Sequence, residues 1–136
     1  MKQMFAAITM LCLAALPLRA EDARTGAVIG VIQSQLDAFQ QDDFAKAFTF
    51  ASPSIKRLFG NPANFERMVK NGFPMVWRPS EVQFLDFEDK AGQVSQNVLF
   101  RDAKGVPVVL QYIMVETETG WQIDGVVPVQ APDVAA

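Results

Sequence analysis

The 136-residue chain contains no histidine and a single cysteine, Cys12. Without histidine it lacks both the usual metal ligand and the usual general base, so zinc sites and Ser-His or Cys-His nucleophiles are excluded. Tyrosine is nearly absent as well, with Tyr112 the sole example. Twelve Lys and Arg face fifteen Asp and Glu, and the densest basic pair is Lys56-Arg57. Nucleic acids and anionic membrane surfaces are recognised through basic patches, so neither partner is favoured. No apolar run reaches the roughly 20 residues that a membrane-spanning helix needs.

What is present at the N-terminus has the order of an export signal. Lys2 supplies a positive start, Met4 to Leu16 is uncharged and mostly apolar, and Pro17 precedes Leu18-Arg19-Ala20. Small Ala20 suits a cleavage site, and acidic Glu21 and Asp22 follow at once. The expected organisation is a signal peptide over residues 1–20, one domain over 21–130, and a frayed tail over 131–136. Cys12 falls inside the discarded peptide, and Leu11 before it is not the small residue that lipoprotein processing wants. Cleavage leaves ten basic against fifteen acidic residues, a formal charge of −5. The product is expected to be soluble and periplasmic or secreted. At this length a chain buries about two-thirds of its unfolded surface and folds without disulfides or metal. No cofactor is expected.

The first half of the mature chain has helical periodicity. From Ala27 to Gln40, Val28, Ile32, Leu36 and Phe39 recur at steps of three and four, with Gln33, Gln35, Asp37 and Gln40 on the other side. Asp42 and Asp43 favour the start of a second helix carrying Phe44, Ala47, Phe48 and Ala51. Ser52-Pro53 and Asn61-Pro62 each pair a capping side chain with a proline suited to a first helical position. The first opens a helix with Ile55, Leu58 and Phe59 that stops at Gly60. The second opens one with Phe65, Met68 and Val69 that stops at Asn71-Gly72.

Beyond Phe73-Pro74 and Arg78-Pro79 the period changes to two. Strands are expected over about Glu81 to Phe87, Gln93 to Arg101, Val106 to Thr117 and Trp121 to Val129. Their short connections dictate an antiparallel meander, because a parallel pair needs a crossover of about a dozen residues. The predicted fold is α+β: three to four N-terminal helices packed on a curved four-stranded antiparallel sheet.

At this length and element order the architecture resembles the cone-shaped, cystatin-like fold of nuclear transport factor 2 and ketosteroid isomerase. A closer resemblance lies in Phe50-Ala51-Ser52-Pro53-Ser54-Ile55, Leu58-Phe59-Gly60, Phe65, Met68-Val69, Gly72-Phe73-Pro74, Arg78-Pro79 and Val82. These residues resemble an uncharacterised secreted bacterial family, domain of unknown function 4864, over about Val31 to Val127. The resemblance implies export, and it carries no catalytic or binding residue.

Two functional readings follow. In the first, a non-catalytic binding or interaction domain, the apolar residues and the ten phenylalanines after Ala20 line a lumen for a small apolar ligand, or form a packed core and leave a protein partner to be found. Strand alternation sets Asp86 beside Val82 and Phe84, Gln96 among Val94, Val98 and Phe100, and Tyr112 among Val108, Leu110 and Met114. If these faces turn toward the helices, Asp86, Gln96 and Tyr112 are the polar groups of that lumen. The bland alternative has Asp86 reach solvent while the other two bond locally. Trp77 and Arg78 join the candidates, because the guanidinium fork suits an anion and the indole a flat group. Their structural alternative is bonding to carbonyls or a local carboxylate. The second reading is an enzyme of ketosteroid isomerase-like type with Asp86 and Tyr112 as its acid and base. A homodimer is expected through Val109, Ile113 and Val115, since both faces of the third strand are apolar.

Overall fold

The computed structural model describes residues 20–129, with side chains from Ala23 onward. The expected signal peptide, apart from Ala20, and the tail at 131–136 lie outside the described residues. Five helices come first: α1 (Ala20–Gln40), α2 (Phe44–Thr49), α3 (Pro53–Phe59), α4 (Pro62–Gly72) and α5 (Pro74–Trp77). Four strands follow: β1 (Glu81–Lys90), β2 (Gln93–Arg101), β3 (Pro107–Thr117) and β4 (Gly120–Val129). The sheet is an antiparallel meander in the order β1-β2-β3-β4. The helices pack against it, so the fold is α+β.

The helix boundaries follow from caps. Asp43 accepts from the Lys46 amide at 3.1 Å, Ser52 from Ile55 at 3.3 Å and Asn61 from Asn64 at 2.9 Å, each satisfying an otherwise orphaned N–H of a first turn. The one-turn α5 is an addition to the expected helices. Pro74 pre-sets its first position, and Pro79 disfavours helical backbone at Arg78, so the helix ends at Trp77.

The core lies between the helices and one sheet face. Val28, Ile32, Leu36 and Phe39 of α1 are buried against Val98, Phe100, Leu110 and Met114 of the sheet and their neighbours. Phe65 is the aromatic hub, with ring centroids 5.2 Å from Phe48, 5.9 Å from Phe59 and 6.0 Å from Phe39. It thereby links α1, α2, α3 and α4. At its N-terminal end α1 is tied to β1 by Arg24, which bonds Asp89 at 2.8 Å and lies over the Phe87 ring.

Two irregularities break strand alternation. Phe84 pairs with Val98 and Phe87 with Gln96, so Leu85 and Asp86 together oppose Asn97. On β4, Ile113 pairs with Gly125 and Met114 with Ile123, leaving Asp124 as an extra residue. Both are β-bulges. The β1–β2 connection is tighter than expected: Lys90 pairs with Gln93, and only Ala91 and Gly92 form the turn, with φ of +53° and +85°. Such a two-residue turn with left-handed backbone matches the twist of its strands.

On the far side of the sheet, Val109, Ile113 and Val115 are half-buried. Their cross-strand neighbours there are Leu99 and Val129, Ser95 and Gly125, and Gln122 respectively. Gln111 Nε2 donates to Ser95 Oγ at 3.2 Å on this face. It is a mixed surface, more polar than β3 alone implies.

Candidate functional site

The principal cavity lies between α3, α4 and β4, bounded beneath by β3 and α1. It encloses about 350 Å³. α3 contributes Ile55, Leu58 and Phe59, α4 contributes Phe65, Met68 and Val69, and β4 contributes Ile123, Gly125, Val126 and Val127. Leu58 is 72% exposed and Val127 41% exposed, which puts the opening between α3 and the end of β4. α3 has no fully buried residue, because its apolar side lies over this cavity instead of core.

The lining contains no charged side chain, and its only polar side chains are Gln35 and Tyr112. Both are almost fully buried. Gln35 Nε2 donates to the Ala47 carbonyl at 3.1 Å, a second bond to an oxygen that also accepts from the Phe50 amide at 3.3 Å near the end of α2. The Tyr112 ring packs 6.3 Å from Phe100. No hydrogen bond joins its hydroxyl or Gln35 Oε1 to another described residue. Neither is among the fully buried unpaired atoms of the described residues, which are Gln96 Oε1, Asn97 Oδ1 and Gln122 Oε1, so both open onto the cavity. Burial pushes the Tyr112 hydroxyl's ionisation well above its ordinary value, so it stays neutral.

α3 is hinged to β4 by a polar clasp. The Ser52 amide donates to the Ile123 carbonyl at 2.8 Å, the Ile123 amide to Phe50 at 2.9 Å, and Ser52 Oγ to Asp124 Oδ1 at 2.7 Å. The bulge at Asp124 frees that residue from its place in the ladder to reach the helix layer.

The five residues expected to form the site are scattered. Tyr112 lines the cavity. Gln96 is fully buried on the helix-facing side but lies outside the lining: its Nε2 donates to Leu85 and Asn97 carbonyls, both at 3.0 Å, and so supports the β1 bulge. Asp86 is exposed, because the bulge gives its expected inward place to Phe87. It is two strands from Tyr112, and the structure does not bring this acid/base pair together. Trp77 and Arg78 are held by Asp42: the indole N–H and the guanidinium both donate to its Oδ1 at 2.8 Å. Arg78 also donates to the Phe39 and Trp77 carbonyls, at 3.0 and 3.1 Å. They border a second, more open depression of about 310 Å³ with Pro74, Met75, Asp102, Ala103 and Lys104.

Gln35 escaped the sequence reading, which assigned it to the solvent side of α1. The signal was there: Ile32, Gln35, Leu36 and Phe39 occupy i, i+3, i+4 and i+7, a complete buried stripe. Among the described residues, no group of three or more acidic or cysteine side chains is placed to hold a metal ion, and no helix is long and apolar enough to cross a membrane.

The fold is α+β, and the cavity between its helices and sheet has a neutral lining. Residues 21–136 match the family described as Domain of unknown function (DUF4864), and the chain belongs to that family. Neither curated proteins nor solved structures gave a match.

Proposed function

We propose that this is an exported, non-catalytic domain that binds a small, mainly apolar molecule in the cavity between α3, α4 and β4. The observation that carries the reading is the cavity itself: about 350 Å³, walled by aliphatic and aromatic side chains, with two neutral polar groups inside. Concave, largely apolar spaces with a few convergent polar groups are how small-molecule sites are built. A non-catalytic role fits a lining with no carboxylate, amine or thiol to move a proton or attack a substrate. Export is supported by the leader-like residues 1–20 and by a family match that starts at Glu21. The likeness to the nuclear transport factor 2 cone is part of the same proposal, resting on helices laid over an antiparallel meander.

The test is fluorescence titration of the purified domain with phenylnaphthylamine, a neutral dye that brightens in apolar surroundings. Saturable binding at one site per chain is expected. Val126→Phe, which places a larger ring in the lining, should weaken it by about tenfold or more. Unsaturable brightening, or no effect of Val126→Phe, would refute the cavity as a binding site. N-terminal sequencing of the exported product should begin at Glu21.

A homodimer through Val109, Ile113 and Val115 is the second proposal, favoured by the apolar register partners of Val109, Leu99 and Val129, on the neighbouring strands. Sedimentation at tens of micromolar decides it, and a strictly monomeric mass would end it.

A further inference from the structure

The polarity of the cavity restricts what can occupy it. Its lining has no Lys, Arg, Asp or Glu, and its two polar side chains are the amide of Gln35 and the phenol of Tyr112. Each residue is nine-tenths or more buried, and each turns toward the cavity one polar atom, Gln35 Oε1 or the Tyr112 hydroxyl, that no described residue hydrogen-bonds. Water satisfies such atoms in an open cavity, so a ligand that displaces it must supply a hydrogen bond of its own or leave them unpaired and buried, which is unfavourable. A charged ligand group in the same place would lose its hydration with no counter-charge to offset the loss.

We infer that the ligand class is uncharged: a compact hydrocarbon body with one or two neutral oxygen functions, carbonyl or hydroxyl, placed to meet Tyr112 and Gln35. This rests on the cavity being the binding site. The phenol donates to a ligand carbonyl or exchanges hydrogen bonds with a ligand hydroxyl, while Gln35 Oε1 only accepts and so answers a ligand hydroxyl. A phenol is protonated across the physiological pH range even at its ordinary value of 10.0, and burial raises that value, so Tyr112 presents a neutral donor throughout. Size follows from volume. Water's share of liquid volume is about 30 Å³ and covalently bonded atoms pack closer than separate waters, so a space of about 350 Å³ holds on the order of one to one and a half dozen non-hydrogen atoms, the range of the naphthyl probes and of phenylnaphthylamine. Carboxylates and amines of the same size and shape are excluded, free fatty acids among them.

Three probes of one shape separate the possibilities by competition against bound phenylnaphthylamine at neutral pH: naphthalene, naphthyl methyl ketone and naphthoate. The ketone should displace the dye at about five- to tenfold lower concentration than naphthalene, the value of one hydrogen bond. Naphthoate should need at least tenfold more than the ketone. In Tyr112→Phe the ratio between ketone and naphthalene should contract toward one. The ranking is read on the unmodified protein, so it does not depend on that variant folding. Three probes of equal strength would overturn the ligand class and leave the cavity reading standing. A naphthoate that binds best would overturn it as well. If the dye itself never binds saturably, both readings fall together.

Discussion

Ser52 Oγ donates to Asp124 Oδ1 at 2.7 Å while accepting from the Ile55 amide at 3.3 Å, so one buried hydroxyl joins the start of α3 to the bulge in β4. α3 buries no side chain fully, and at its far end Gly60 turns the chain with φ of +82°. The helix that walls the cavity is thus held at its ends more than along its length.

Replacing Ser52 by alanine removes both bonds and leaves Asp124 with one acceptor unmatched. A lost cap and a lost buried hydrogen bond together cost about 1–3 kcal/mol. The expected result is a melting temperature lower by several degrees. Faster release of bound dye should accompany it, because α3 opens more often. Ser52→Thr keeps the hydroxyl and should recover most of both. Thermal unfolding and stopped-flow release measure the two effects separately.

The carboxylate of Asp42 takes two hydrogen bonds on one oxygen, and its backbone sits at φ of +55° where the chain turns from α1 to α2. The Trp77 indole bond is the main cause that holds its ionisation below the ordinary aspartate value, with the bond and charge of Arg78 adding to it. A depressed value means that the unfolded chain takes up the proton first as acid is added. The contribution is therefore present above the ordinary aspartate range and disappears as pH falls through the folded value. Asp42→Asn should melt lower than wild type at neutral pH, and the gap should narrow on acidification. Asp89, lowered chiefly by its bond from Arg24, acts in the same direction, so part of the acid sensitivity should survive in the variant. Both groups are exposed, and added salt should shrink the difference.

At the β1–β2 turn, Ala91 occupies left-handed backbone with φ of +53°. A side chain with a β-carbon is disfavoured there by about 1 kcal/mol, and asparagine or glycine tolerates the conformation better. Ala91→Asn is expected to raise the unfolding free energy by about 0.5–1 kcal/mol, read from the urea midpoint at unchanged slope. An unchanged midpoint would show that the turn is not confined to this geometry.

The elements that were legible in the sequence are those in which a local pattern and the tertiary demand agree. Val28, Ile32, Leu36 and Phe39 repeat at helical spacing, and the same four are buried. Ser52-Pro53 and Asn61-Pro62 announce their helices because capping is a local hydrogen bond. The meander follows from short loops. The bulge at Leu85-Asp86 was hidden, since it carries no glycine or other local mark, whereas the one at Asp124 has Gly125 beside it inside the strand, a mark that strict alternation passes over; what both accomplish is non-local. One turns Phe87 inward over Gln96, and the other lets Asp124 reach Ser52. Strict alternation consequently put Asp86 inside, where it is not. The cavity was half legible: Tyr112 stands on an apolar strand face, but Gln35 required counting the buried stripe of α1 to include glutamine.

Tyr112, the only tyrosine of the chain, makes the interior directly observable. The residue is almost fully buried with its hydroxyl toward the cavity, and loss of solvation alone raises its ionisation above the ordinary value of 10.0. In the unfolded chain the phenol ionises at that ordinary value, while in the folded chain it stays protonated. A raised value contributes stability that is complete below the ordinary one and declines as pH climbs from there toward the folded value. Alkaline titration should therefore show no phenolate absorbance in native protein as the ordinary value is passed. The band should then rise together with loss of the far-ultraviolet circular dichroism, as unfolding exposes the ring. In urea the same band should rise at the ordinary value. A neutral ligand bound against the phenol favours the folded, protonated state and should shift the joint transition to higher pH. Phenolate forming at the ordinary value with native dichroism intact would mean that bulk water reaches the hydroxyl, and the cavity would then be a solvent-filled cleft with no selectivity for apolar ligands.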